Sequence, residues 1–140
     1  MKRAKFKRLL TGLVPAMAIT LVFGVALSTF AHAGERIQFA HGNDHATVHG
    51  SVTGSHHQDY VLGARAGQTM SVSLSNQGSA YFNILPPGSQ DVAVYNGSID
   101  GDKASLRLPS SGDYTIRVYL MGDDKDSGRK IPFSLSVAIR

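Results

Sequence analysis

The chain has 140 residues, with 14 Lys and Arg against 10 Asp and Glu, a formal charge of +4, and no cysteine. The surplus base sits at the very start: Lys2, Arg3, Lys5, Lys7 and Arg8 precede any acid, so nine bases face ten acids beyond residue 33, a net of −1. That body offers no broad basic field to nucleic acid and no thiolate for catalysis or metal binding.

In chain order, the first segment reads as a signal peptide. Met1 to Arg8 is basic, Leu9 to Phe30 is almost wholly apolar, and Ala31-His32-Ala33 has the small-x-small pattern of a cleavage site, with Gly34 left as the first residue. The apolar run is long enough to cross a bilayer, so an uncleaved anchor is the alternative. The position of the site and the lack of a basic stop-transfer run after it favour removal. No cysteine follows, which excludes a lipid anchor. The expectation is a signal peptide over 1–33, one domain over 34–140 and no stable membrane anchor after cleavage. An exported domain without disulfides suits a bacterial periplasm.

Beyond Gly34 the period is 2 nearly throughout. Thr69 to Ser75 alternates polar residues with Met70, Val72 and Leu74. Asp113 to Leu120 sets Tyr114, Ile116, Val118 and Leu120 on one face, and Ile131 to Arg140 sets Ile131, Phe133, Leu135, Val137 and Ile139 on one face. Strands with one face on a core and one in water read this way. Weaker candidates are 36–40, 46–53, 59–64, 80–85, 91–95 and 104–108. Turn residues separate them: Gly54-Ser55, Ala66-Gly67, Pro86-Pro87-Gly88, Asn96-Gly97 and Ser111-Gly112. No window carries a helical stripe. Eight or nine short strands predict an all-β fold, a single antiparallel β-sandwich of jelly-roll type.

The run from His41 to His57 holds five histidines, three of them spaced by four: His41, His45 and His49. On a helix that spacing could chelate a metal. On a strand the same four residues span about 13 Å and the rings cannot meet. Thr47, Val48, Val52 and Thr53 are β-branched, and Gly50 and Gly54 weaken a helix, so the stretch reads as strand. Val48 and Val52 then face the core, while His45, Thr47, His49 and Ser51 face water. A hairpin at Gly54-Ser55 would pair His49 with Tyr60. That register puts Tyr60 and Leu62 on the histidine face, a conflict that a bulge or a different strand neighbour would remove. No metal or cofactor is expected; a weak surface metal contact or a mild pH response stays open for the run.

Other constellations carry little chemistry. Asp124-Lys125-Asp126-Ser127-Gly128 resembles part of a calcium loop but lacks the closing glutamate and flanking helices, so a solvated hairpin loop is expected. Asn96-Gly97-Ser98 matches a glycosylation sequon, which a tight turn explains equally well. No G-x-S-x-G turn occurs, and the one glutamate, Glu35, lies at the start of the mature chain. The chain does not read as an enzyme.

Three stretches together carry a resemblance. They are Gly63-Ala64-Arg65-Ala66-Gly67-Gln68 with Ser71 to Leu74; Tyr81-Phe82-Asn83 with Leu85-Pro86-Pro87-Gly88; and Leu108 to Tyr114 with Arg117-Val118-Tyr119. Over nearly all of Gln38 to Arg140 the chain resembles the periplasmic inhibitors of g-type (goose-type) lysozyme and, more loosely, the bacterial prepeptidase C-terminal β-sandwich domains. The resemblance implies a periplasmic sandwich that occludes the active-site cleft of g-type lysozyme and so protects peptidoglycan. It implies a Ser-Gly-x-Tyr loop entering that cleft, matched here by Ser111, Gly112 and Tyr114, although the alternation places Tyr114 equally well in the core. It also implies arginines in the loop after that strand. Here the loop is acidic over 122–126 apart from Lys125, and Arg129 and Lys130 come late; carboxylates facing a carboxylate cleft repel. Lys125, Arg129 and Lys130 complete the expected lysozyme-binding set. The alternative is a non-inhibitory envelope module that binds glycan or another protein.

Overall fold

The alternating stretches fold as strands because only an extended chain sends their apolar residues to one side. The computed structural model describes residues 34–140; the expected signal peptide, including Ala33, lies outside the described residues. The strands are β1 (Glu35–Arg36), β2 (His45–Thr53), β3 (His57–Ala64), β4 (Thr69–Asn76), β5 (Ala80–Leu85), β6 (Tyr95–Asn96), β7 (Lys103–Arg107), β8 (Gly112–Leu120) and β9 (Lys130–Ile139). Two helical turns interrupt them, α1 (Gly97–Asp100) and α2 (Gly122–Asp126).

One sheet runs β2-β9-β4-β7 and the other β1-β3-β8-β5-β6. From β2 onward every connection except β5 to β6 crosses to the opposite sheet, which is the wiring of a jelly roll. The short β1 is added at an edge, parallel to β3; the other pairings are antiparallel. The fold is therefore the all-β sandwich expected of the alternation.

The core lies between the sheets. Tyr60, Leu62, Phe82, Ile84, Tyr114, Ile116 and Val118 enter it from one side; Met70, Val72, Leu135 and Val137 enter from the other. Tyr60 meets Phe133 of the opposite sheet edge to face, with centroids 6.1 Å apart, and Phe82 stacks on Tyr95 at 5.3 Å, both favourable aromatic geometries. Glycine stands at position 50 within β2 because a side chain there would strike the Tyr60 hydroxyl and the Phe133 ring.

Several sequence expectations need correction. Gly54-Ser55 does not close a hairpin between sheet neighbours. Thr53 pairs with Lys130 and His49 with Ser134, while β3 pairs with β8. Gly54, at φ 54°, turns the chain as an arch from one sheet to the other, and its N–H donates to the Arg129 carbonyl at 3.0 Å. Tyr60 and Leu62 thus point inward from the opposite sheet, which removes the conflict with the histidine face. The 36–40 strand shrinks to β1 and one further bond, from Ile37 N–H to the Val61 carbonyl. The 91–95 strand shrinks to β6, because the Ser89 hydroxyl donates to the Val92 carbonyl and accepts from its N–H, holding the preceding residues in a loop. Asn96-Gly97 begins α1, with the Asn96 side chain accepting from Ser98 N–H as its cap.

Phe82 is fully buried at the centre of this packing. Phe82→Ala is expected to cost about 3–5 kcal/mol, a large part of a small domain's stability. Urea unfolding should show the loss as a lower midpoint at unchanged slope.

Candidate functional site

Each residue of the Ser-Gly-x-Tyr pattern has a structural task at one end of the sandwich. The Ser111 hydroxyl accepts from Ala66 N–H at 2.9 Å, tying the β3–β4 turn to the β7–β8 turn. Gly112 has φ 140°, and a side chain there would approach Pro87 to 2.9 Å. Tyr114 is fully buried, its hydroxyl donating to the Ser110 carbonyl at 2.6 Å and accepting from Ser110 N–H at 3.2 Å. Of the two places the sequence allowed Tyr114, the ring takes the core, and only its hydroxyl reaches the loop. Asp113 points outward and takes two hydrogen bonds from Arg36, at 2.7 and 3.3 Å. Those bonds hold its carboxyl below the usual carboxylate range.

The opposite end is built around α2. The Asp124 to Gly128 stretch, expected as a solvated hairpin loop, begins instead inside the helical turn of α2, with one carboxylate turned inward. Asp124 is buried, accepts from Ser79 N–H at 2.7 Å and lies 3.3 Å from Arg129 Nη1. Gly78 leaves room for it, since a side chain there would come within 2.7 Å of the carboxylate. One of the three aspartates that made the 122–126 segment look acidic is thus withdrawn from the surface and paired. Asp123 and Asp126 stay exposed, as do Lys125, Arg129 and Lys130. The Arg129 side chain is 68% exposed, so most of its donors face solvent.

Apolar groups gather on the same side as α2. Met121 and Ile99 are 43% and 78% exposed. A depression of about 280 Å³ is lined by Ser79, Tyr81, Ser98, Met121 and Gly122. Beside it Tyr81 and Tyr119 lie 6.2 Å apart, and the Tyr119 hydroxyl donates to Asn83 Oδ1 at 2.9 Å. Next along the sheet, Arg117 grips Asp59 through two bonds, at 2.8 and 2.9 Å, and also donates to the Gln90 carbonyl. Exposed methionine with tyrosine and arginine is the composition enriched at protein interfaces. Periodicity gave no hint of this patch, because its members come from β5, α1, β8 and the segment after β8.

The expected binding residues therefore do not form one site. Ser111 and Gly112 precede or begin β8, whereas Lys125, Arg129 and Lys130 follow it, and the nine residues of β8 span about 26 Å. The histidines are likewise dispersed. His41 lies in a turn, His45 and His49 line the outer face of β2, and His56 and His57 belong to the arch and to β3. Their partners are local: Asp44 for His45 at 3.2 Å and the Ser134 hydroxyl for His49 at 2.9 Å. Among the described residues no cluster of three or more His, Asp or Glu side chains is placed to hold a metal ion.

No protein-family model matches the chain. A curated relative, the inhibitor of g-type lysozyme of Escherichia coli (strain K12), is 27% identical over 125 residues, covering 86% of this chain and 92% of the relative. Among solved structures, Aeromonas hydrophila PliG, a periplasmic inhibitor of g-type lysozyme, is 37% identical with a TM-score of 0.72, covering 76% of this chain and 96% of its own. Salmonella Typhimurium PliG is 27% identical with a TM-score of 0.63, over 76% and 97% of the two chains. The pre-peptidase C-terminal domain of a Bacillus anthracis collagenase shares the fold alone, at 18% identity and a TM-score of 0.57, over 74% and 93%.

Asp124→Ala removes the acceptor that pins α2 to the β4–β5 turn. Leaving the Ser79 N–H without a partner should cost about 1–3 kcal/mol. Amide hydrogen exchange should show faster exchange at residues 122–128, with the centre of β8 still protected.

Proposed function

The chain belongs to the family of periplasmic inhibitors of g-type lysozyme, and we propose that it inhibits such a lysozyme through the α2 end of the sandwich. The observation that carries this reading is the 37% identity to the Aeromonas hydrophila inhibitor, spread over 96% of that protein on the same sandwich. The protein works in the periplasm and acts by binding, without chemistry of its own.

The α2 end offers what a wedge in an enzyme cleft needs. Met121, Ile99 and Tyr81 supply apolar contact. Arg129 supplies forked donors, held in place through Asp124, that suit the carboxyl groups with which glycosidases cleave. Lys125 and Lys130 add positive charge nearby. Asp123 and Asp126 oppose it, so they slow encounter with an acidic cleft. The Ser111 end is committed instead to holding its own turns together.

Lysis of bacterial cell walls by g-type lysozyme, followed by turbidity, tests the proposal. The folded protein should suppress lysis, and full lytic rate at a large molar excess would overturn inhibition in favour of a non-inhibitory envelope module. Arg129→Ala should weaken inhibition by about tenfold or more, as removal of an interface anchor does, and Ser111→Ala should leave it within about twofold. The reverse result would move the contact to the Ser111 end. Asp123→Asn/Asp126→Asn should raise the association rate severalfold at low ionic strength, with the gain fading in salt.

A further inference from the structure

The outer face of the β2-β9-β4-β7 sheet has a composition that inhibition at the α2 end does not use. Away from Lys130 and Pro132 at one end of β9, the outward residues of its two central strands are small: Ser71, Ser73 and Ser75 on β4, and Ser134, Ser136 and Ala138 on β9. The register sets Ser73 opposite Ser136 and Ser75 opposite Ser134. The edge strands bear the taller residues, His45 and His49 on β2 and Lys103 and Arg107 on β7, with Thr47 and Ser105 between them. Short side chains between tall ones make a trough, with a cavity of about 400 Å³ over its centre. Its hydroxyls are already oriented: Thr47 and Ser136 lie 2.9 Å apart, as do His49 Nδ1 and the Ser134 hydroxyl.

Charge on this face has one sign. The outward positions of the four strands include Lys103, Arg107 and Lys130 and no Asp or Glu. Among the described residues Lys103 and Arg107 make no ion pair. Carboxylates flank the face at strand ends, Asp102 before Lys103 and Asp44 before His45. Asp44 is already bound by Arg140, at 2.9 Å, and by His45. A face of this sign on a body of net charge −1 is a local asymmetry that draws anions.

The composition narrows the occupant. Protein interfaces are depleted in serine, alanine and lysine. The outward positions hold no Phe, Tyr or Trp, and their two imidazoles, His45 and His49, both lie on one edge strand, so neither a run of stacked nucleobases nor the apolar face of a neutral sugar finds a broad platform. A row of hydroxyls walled by lysine and arginine instead matches a chain that bears many hydroxyls and regularly spaced carboxylates. We propose that the Ser71–Ser75 and Ser134–Ser136 trough binds an extended carboxylated polysaccharide, its carboxylates held by Lys103 and Arg107 and its hydroxyls by the serines. Peptidoglycan, with its carboxylate-bearing peptide stems, is a periplasmic polymer of this chemistry.

The test uses two probes and does not depend on lysozyme. Calorimetry at low salt should detect binding of a galacturonic acid oligomer, and co-sedimentation should detect binding to purified peptidoglycan sacculi. Lys103→Ala/Arg107→Ala should weaken both by at least tenfold. Ser73→Gln/Ser136→Gln, which fills the trough without changing its charge, should do the same. Both variants should inhibit lysozyme as the parent protein does, so failure here is distinguishable from failure of the inhibitor reading. Equal binding of the methyl-esterified oligomer, equal binding of a single-stranded oligonucleotide, unchanged binding by both variants, or no binding at millimolar oligomer would each overturn the proposal.

Discussion

The structure rests on two strands, β8 and β9, each hydrogen-bonded along both edges and buried on one face. β8 lies between β3 and β5, and β9 between β2 and β4. Their inward residues, Tyr114, Ile116 and Val118 from one and Phe133, Leu135 and Val137 from the other, form the middle of the core. With no cysteine in the chain, this burial and the ladders on either side of it hold the sandwich. The loops are positioned by where these two strands start and stop.

That dependence explains how the functional surfaces are divided. One end of β8 feeds the Ser111 turn, where a hydroxyl, a glycine and a buried tyrosine lock three turns to one another. The other end feeds Met121 and α2, where the inward Asp124 fixes a short helix and orients Arg129. Rigid positioning of a few exposed side chains lowers the entropy lost on binding. At α2 it is achieved with one buried carboxylate. The serine trough lies on the flank rather than at either end, so the two proposed surfaces share no residue but Lys130, which stands where they meet.

The strands with clean alternation were legible because burial on one face leaves a period of 2 in the chain. β4, β8 and β9 follow that pattern, and the assignment of the His41 to His57 run to extended structure followed from its β-branched residues. Strand partners were not legible. Gly54-Ser55 has the residues of a tight hairpin, and only the three-dimensional proximity of Gly54 to Gly128 and Arg129 makes it an arch between sheets. The inward turn of Asp124 was equally hidden, since three nearby aspartates look alike until one finds the Ser79 N–H. For the candidate site, Tyr114 stood on the apolar face of an alternating strand, and that signal outweighs the motif that made it look like a contact residue. The exposed patch around Met121 left no mark in the sequence because its parts meet only through folding.

The late position of β8 and β9 has a consequence for how the protein is made. Four of the seven strand pairings involve one of these two strands, and each sheet lacks a central strand until the last third of the polypeptide has emerged. A chain growing from its N-terminus has no closed core to settle into. Neither sheet can be completed while the chain is short of β8, which favours the unfolded state that passage through a narrow membrane channel requires. Premature termination anywhere before residue 130 leaves β2 and β4 without their shared neighbour, so truncated products present open strand edges to proteases rather than a smaller folded domain.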